Sequence, residues 1–109
     1  MIRKKETSLL KTEILKCLDK SGVKVSRIIL FGSRAKGNYS KFSDYDFLII
    51  TKQTLPIEQK MEIAKEIRIA LAQLHIASDI IINSEEEVEL KKNKIGYVTR
   101  YAIKEGVTI

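Results

Sequence analysis

The chain has 109 residues, of which 44% are apolar and 31% charged, and its 20 Lys and Arg against 14 Asp and Glu give a net charge of +6. This length and apolar fraction fit a single domain over residues 1–109. One cysteine excludes an internal disulfide and fits a reducing compartment, and no apolar run approaches the roughly 18 residues of a transmembrane helix. We therefore expect a cytoplasmic protein with no membrane partner.

The positive charge is carried mostly by lysines that are spread along the chain without interleaved aromatic residues. Such a distribution is typical of a solvated surface, although a local positive field would also favour a nucleoside triphosphate. We therefore do not expect direct nucleic-acid binding.

The first elements are a helix and a strand. Apolar residues at helical spacing predict a helix over residues 7–20, with Thr7 as a candidate N-cap and Ser21-Gly22 at its end. A first strand follows over residues 26–31, and it leads directly into Gly32.

A polar segment connects this strand to a second one. Ser33 is the predicted cap of a short helix over residues 34–36, which Gly37 would end. Residues 38–43 form a polar loop, and residues 45–51 read as the second strand. The hairpin would bring Gly32-Ser33 and Asp44-x-Asp46 to the same end of a sheet.

The second half of the chain alternates helix and strand. Pro56 fits the first turn of a helix over residues 56–74, whose predicted buried stripe is Ile57, Met61, Ala64, Ile67, Leu71 and Leu74. A third strand is predicted over residues 77–82, and Ser84-x-x-Glu87 is a capping-box pattern. The last predicted elements are a helix over residues 95–104, with Ile95, Val98, Tyr101 and Ala102 on one side and Gly106 at its end, and an edge strand over residues 107–109. The fold class is α/β, a small mixed β-sheet with flanking helices.

Asp44-x-Asp46 is the first candidate site. Side chains two apart in a strand point the same way, so both carboxylates share a side if the second strand reaches back to Asp44. Mg²⁺ would relieve their repulsion, and two such ions would clamp the attacking and leaving oxygens of an in-line displacement. The alternative is a solvated strand start, since Asp is a common turn residue.

Gly32-Ser33 is the second candidate site. Gly32 lets a ligand approach the main chain, and the start of the short helix presents N–H groups to an anion. Arg34 or Lys36 could add charge beside a phosphate. The alternative is an ordinary tight turn after a strand.

The combination of strand, Gly-Ser, ten residues, Asp-x-Asp and strand resembles the signature of the nucleotidyltransferases related to DNA polymerase beta. Residues 32–37 (GSRAKG) and 43–50 (SDYDFLII) are similar to the minimal nucleotidyltransferases, or MNT proteins. The resemblance implies the nucleotidyltransferase fold, ATP as substrate at Gly32, Ser33 and Arg34, and Mg²⁺ at the carboxylates.

The resemblance also implies a third acidic residue on a later strand. Asp79 lies within an apolar stretch, residues 76–82, where a lone carboxylate is costly unless it is paired, bonded or bound to metal. It would join Asp44 and Asp46 at one metal and help to deprotonate the attacking hydroxyl. The alternative is a strand-edge Asp that bonds to backbone. His75 is not expected to be catalytic, and the roles of Tyr39 and Tyr45 stay open.

Three functions are compatible with these residues. The first follows from the resemblance, because MNT proteins pair with small helical proteins of the HEPN type in toxin–antitoxin systems. It implies an antitoxin that forms a hetero-oligomer with the toxin and transfers AMP from ATP to a tyrosine of the toxin. The second is an antitoxin that neutralises its partner by binding alone. The third is a nucleotidyltransferase that acts on a small-molecule or RNA hydroxyl.

Overall fold

The computed structural model of the chain describes residues 4–109. The elements in chain order are α1 (Lys4–Lys20), β1 (Val25–Phe31), α2 (Ser33–Lys36), β2 (Tyr45–Thr51), α3 (Ile57–Ala72), β3 (Ser78–Ser84), α4 (Glu85–Lys91), α5 (Val98–Glu105) and β4 (Val107–Thr108). Within the described residues, none of these helices has both the length and the apolar character needed to cross a membrane.

The strands form one mixed sheet in the order β3-β2-β1-β4. β1 is antiparallel to β2 and to β4, whereas β2 and β3 are parallel and α3 connects them. The predicted mixed sheet with a C-terminal edge strand is confirmed.

Helices cover both faces of the sheet. Phe47 and Ile49 of β2 pack with α1 and α3 on one face, while Leu48 and Ile50 pack with Val88 and Ala102 of α4 and α5 on the other. Because side chains alternate along a strand, burial on both faces requires a continuous apolar run. This explains why residues 47–50 read as Phe-Leu-Ile-Ile.

The β1–β2 hairpin puts the two sequence motifs at one end of the sheet. β1 ends where β2 begins, and Phe31 lies opposite Asp46 in the antiparallel register. The connection between them is α2 and a loop over residues 38–44. The expectation that Gly32-Ser33 and Asp44-x-Asp46 come together is therefore confirmed.

Two helix starts differ from the prediction. α1 already includes Lys4, so Thr7 lies inside the helix and is not its cap; the upstream Lys-Lys-Glu run consists of good helix formers and extends it. The cap of α2 is Gly32, without a side-chain hydrogen bond, and Ser33 is the first helical residue. Gly37 ends α2 in the left-handed conformation as predicted.

The buried stripe of α3 is only partly as predicted. Ala64, Ile67 and Leu71 are buried, together with Ile63, which the prediction omitted. Three predicted members are exposed instead: Ile57 (69%), Met61 (67%) and Leu74 (37%). The helix turns the side that bears Ile57 and Met61 toward the open edge of β3, and Leu74 lies beyond the helix end.

The predicted C-terminal helix begins three residues late. Gly96 has a φ of 96°, and the helix starts only at Val98. Ile95 is therefore exposed in the preceding turn, and on the predicted apolar side only Ala102 is buried.

The capping box is confirmed: the Ser84 N–H donates to the Glu87 carboxylate at 2.8 Å, and the Glu87 N–H to the Ser84 hydroxyl at 3.1 Å. Gly106 ends α5 as predicted.

Candidate active site

The first part of the site is the glycine that follows β1. Gly32 has φ 76° and ψ −159°, a backbone region that is essentially restricted to glycine. A Cβ at this position would collide with the Asp46 carboxylate and would lie 3.2 Å from its Cγ. Gly32 is therefore the point where the chain passes directly against Asp46.

The start of α2 leaves backbone donors beside this glycine. The N–H groups of Ala35 and Lys36 both donate to the Gly32 carbonyl at 3.1 Å, which begins the hydrogen bonding of the helix. The N–H groups of Ser33 and Arg34 precede these bonds. They are the kind of donors that helix starts present to anions, together with the positive end of the helix dipole.

Two of the three candidate carboxylates lie on neighbouring strands. Asp46 of β2 and Asp79 of β3 are direct partners in the parallel register, and Asp44 lies one residue before β2. Among residues 4–109, no three His, Cys, Asp or Glu side chains are already arranged as a group that could hold a metal ion. The backbone brings Asp46 and Asp79 side by side, while Asp44 is on the adjoining loop.

The carboxylates influence one another electrostatically. Burial raises the pKa of Asp46 above its ordinary value, and the negative charges of Asp79 and then Asp44 raise it further. Like charges that disfavour ionisation of a carboxylate are relieved by a cation. The oxygen donors and their mutual repulsion therefore fit a hard divalent ion such as Mg²⁺.

Arg34 is held by two tyrosines. Its guanidinium carbon lies 4.2 Å from the ring centre of Tyr39 and 4.4 Å from that of Tyr45, and its Nε donates to the Ser43 carbonyl at 3.2 Å. Each cation–π contact of this kind contributes about 0.5–2 kcal/mol. Arg34 thereby ties α2 to the loop that leads to Asp44.

Tyr45 connects this loop to α1. Its hydroxyl donates to the Glu6 carboxylate, and its ring stacks on Phe47 with 6.2 Å between centres. Burial first, and then the hydrogen bond with Glu6, raise the pKa of Tyr45 to about 12. Tyr45 is only 6% exposed, so it acts as a buried anchor at the start of β2.

The structure thus brings Gly32, Asp46 and Asp79 together, with Ser33 one residue farther along the chain. His75 is exposed in the turn before β3, at a positive φ of 62°. Glu6, whose bond to Tyr45 spans 39 residues, was not predicted as a site residue. No local pattern signals a contact at that separation.

Comparisons with known proteins agree with this geometry. The profile of the polymerase beta nucleotidyltransferase family matches residues 12–106. A candidate protein adenylyltransferase of Methanocaldococcus jannaschii, MJ0141, is 45% identical over 42 residues. That match covers 38% of this chain and 42% of the relative, so the similarity spans less than half of either protein.

Two solved structures share the fold. A chain of a toxin–antitoxin complex with AMP-PNP superposes with a TM-score of 0.61 at 21% identity, over 89% of this chain and 69% of that chain. A chain of the complex between a tri-AMPylated HEPN toxin of Shewanella oneidensis and MNT antitoxin gives 0.56 at 19% identity, over 93% and 69%.

The family profile extends over nearly all of the described residues, from within α1 to the end of α5. It includes the Gly-Ser turn, Asp44-x-Asp46 and the strand that bears Asp79. The chain belongs to the polymerase beta family of nucleotidyltransferases.

Proposed function

We propose that residues 1–109 form a single minimal nucleotidyltransferase domain that transfers AMP from ATP to a tyrosine hydroxyl of a HEPN-type toxin, and that the chain is the antitoxin of this pair. The observation that carries the proposal is the meeting of Gly32, Asp46 and Asp79 at one end of the sheet. This arrangement offers a close backbone approach for phosphates beside a pair of carboxylates. We place the activity in the cytoplasm, where ATP is available.

In this proposal Asp44, Asp46 and Asp79 hold Mg²⁺, and two ions are expected. The raised pKa of Asp46 supports a cation site, because a bound cation would offset the repulsion from Asp79 and Asp44. When bound, the ion supplies charge neutralisation to the phosphates and to the attacking oxygen. The carboxylates would orient it, and the absence of a side chain at Gly32 makes room for the Asp46 carboxylate.

The triphosphate would lie along the start of α2. Ser33 supplies a hydroxyl and a backbone N–H, Gly32 permits the close approach, and Arg34 supplies a backbone N–H next to the turn. The acceptor oxygen attacks the α-phosphorus, the bond to the bridging oxygen breaks, and pyrophosphate leaves. Asp79 accepts the proton of the acceptor hydroxyl.

The acceptor is proposed from similarity. The M. jannaschii relative carries the name of a protein adenylyltransferase, and one fold neighbour is a complex that contains an AMPylated HEPN toxin with MNT antitoxin. Positioning supplies much of the rate in nucleotidyl transfer, so a bound partner that presents its own tyrosine would provide it. We therefore propose a hetero-oligomer with the HEPN protein.

The test is a transfer reaction with a HEPN-type partner, ATP and Mg²⁺, followed by intact-protein mass spectrometry. The wild type is expected to add one or more AMP units to a partner tyrosine and to relieve its toxicity in cells. A variant that lacks all three carboxylates (Asp44→Asn, Asp46→Asn, Asp79→Asn) is expected to do neither. Asp19→Asn, the same change at an exposed position of α1, is the matched control.

The alternatives give different results in the same experiment. If the triple variant neutralises the partner as well as the wild type does, the antitoxin acts by binding and the proposed transfer is wrong. If the partner stays unmodified while a small hydroxylated compound or an RNA gains AMP, the enzyme has another acceptor.

A further inference from the structure

The two edges of the sheet are unlike. β4 forms one edge and is only two residues long, Val107–Thr108. β3 forms the other and runs regularly for seven residues, Ser78–Ser84, without a bulge in its register with β2. Short strands, charged side chains, prolines and bulges usually protect an edge from pairing with another chain. The β3 sequence, SDIIINS, has one charged residue, Asp79, near its start and none of the other features.

An apolar groove lies beside this unprotected edge. It has a volume of about 740 Å³ and runs between α3 and residues 80–82 of β3. Ile57 and Met61 line it and are 69% and 67% exposed. The helical periodicity of the sequence assigns both side chains to a buried stripe, yet within residues 4–109 they are left open to solvent. We call this surface the α3–β3 groove.

Lys60, one of the charged residues that line the groove, is paired with Glu87 of α4, and the other four are divided by sign along α3. Glu58 and Glu62 lie in the first half of the helix, and Lys65 and Arg68 lie in the second half. No ion pair of the described residues involves any of these four side chains. A surface with one sign at each end is complementary to a copy of itself turned by 180°.

We propose that the α3–β3 groove is the interface between two copies of this chain, with β3 of one copy paired antiparallel to β3 of the other across a two-fold axis. The two sheets then become continuous, and the free outer side of each β3 gains a ladder of hydrogen bonds. The second copy covers Ile57 and Met61, and its α3 runs antiparallel to the first.

The lengths of the two elements fit this arrangement. β3 spans about 23 Å and α3 about 24 Å. The groove places residues 80–82, the middle of β3, beside residues 57–68 of α3, so an axis at the middle of the strand also passes near the middle of the helix. Each α3 then sets its acidic half against the basic half of the other. Asp79 shares a sheet face with Ile81, whereas Ile80 and Ile82 face α3, so the two α3 helices lie on the opposite face from the side chain of Asp79.

The test is sedimentation velocity of the full chain from low to high micromolar concentration, together with hydrogen exchange. The wild type is expected to dimerise, and amides of Ser78–Ser84 are expected to exchange more slowly as concentration rises. Met61→Glu is expected to raise the dimer dissociation constant by about tenfold or more, because it buries a charge. Leu90→Glu, at a 62% exposed apolar position of α4 outside the groove, is the matched control.

Charge-swapped variants make the test specific for self-pairing. Glu58→Arg with Glu62→Arg leaves only basic charged side chains in the groove, and Lys65→Glu with Arg68→Glu leaves only acidic ones apart from Lys60, which is paired with Glu87. Each variant alone is expected to be monomeric, and an equimolar mixture is expected to form heterodimers. The heterodimers restore every opposite-charge contact.

Three results would overturn the proposal. One is a wild-type chain that remains monomeric at high micromolar concentration. This result overturns the proposal even if a different protein is found to protect the β3 amides. Another is a dimer that Met61→Glu and Leu90→Glu weaken equally. The third is a mixture of the basic and acidic variants that stays monomeric.

Discussion

Asp46 and Asp79 are direct partners in the parallel ladder between β2 and β3, and burial and then the charge of Asp79 raise the pKa of Asp46. The negative charges of these two neighbouring carboxylates repel each other in the folded protein. The folded state therefore carries an electrostatic cost that a divalent cation can offset.

The first prediction concerns the stability of Asp46→Asn. We expect its melting temperature at pH 7 to exceed that of the wild type by about 2–5 °C, because a repulsive charge is removed while partial exposure screens the effect. The transfer activity is expected to be lost. Thermal unfolding by circular dichroism, with Asp19→Asn as control, measures the shift.

The pH dependence of this difference has a definite sign. The folded-state pKa of Asp46 lies above its ordinary value of 3.8, so the folded state prefers the protonated carboxyl. The two proteins should be equally stable below about pH 3.8, and the wild type should fall behind as the pH rises through the raised pKa. A variant that is less stable than the wild type at pH 7 would show that Asp46 makes a stabilising contact.

The second prediction concerns Gly32. Gly32→Ala is expected to lower stability by about 1–3 kcal/mol for the positive φ alone, and further because the added Cβ collides with Asp46. Gly22→Ala is the matched control, since Gly22 has a φ of 71° and no atom within 4 Å of an added Cβ. Denaturant unfolding measures both variants.

The difference between the two variants isolates the close approach to Asp46. Gly32→Ala should be the more destabilised, and it should also bind ATP more weakly by titration calorimetry. Equal losses of stability in Gly32→Ala and Gly22→Ala would mean that the collision is relieved at no cost.

These site residues could be predicted from the sequence because their signals are local. Gly32, Asp44 and Asp46 lie within fifteen residues and are framed by two apolar strands, so a hairpin has to bring them together. Asp79 required the family resemblance as well, because a parallel strand after a helix has no local pairing signal.

The errors arise where tertiary packing decides. The spacing of Ile57 and Met61 on α3 fits a buried stripe, but the sheet ends at β3 and provides nothing to cover them. The contact between Tyr45 and Glu6 depends on how α1 crosses the sheet. Periodicity predicts which side of a helix is apolar, but it does not indicate how far the sheet extends beneath that helix.

The third prediction concerns Arg34, which holds the loop that leads to Asp44 against α2. Arg34→Lys keeps the charge but loses the planar stack on Tyr39 and Tyr45 and the Nε bond to Ser43. We expect trypsin to cleave after the exposed Lys41 several-fold faster in this variant than in the wild type. Arg27→Lys, at an exposed position of β1, is the control.

An unchanged cleavage rate at Lys41 in Arg34→Lys would show that charge alone is sufficient at position 34. The same variant should then also bind ATP like the wild type.

The fourth prediction concerns Tyr45 at high pH. Its folded-state pKa of about 12 exceeds the ordinary value of 10.0, so its contribution to stability is present below pH 10 and is lost as the pH rises toward 12. Tyr45→Phe should be less stable than the wild type at pH 8, since it loses the bond to Glu6, by about 1 kcal/mol. The gap should close between pH 10 and pH 12 in urea unfolding. A gap that stays constant over this range would contradict the role of the hydroxyl.

The most direct test of the proposed catalytic site is Asp79→Asn in the transfer reaction with a HEPN-type partner. We expect this variant to fold, to bind ATP with Mg²⁺ in titration calorimetry, and to add no AMP to the partner, because proton removal from the acceptor fails. Mass spectrometry of the intact partner gives the result. A stable Asp79→Asn protein that modifies the partner at the wild-type rate would contradict the catalytic role of the paired carboxylates.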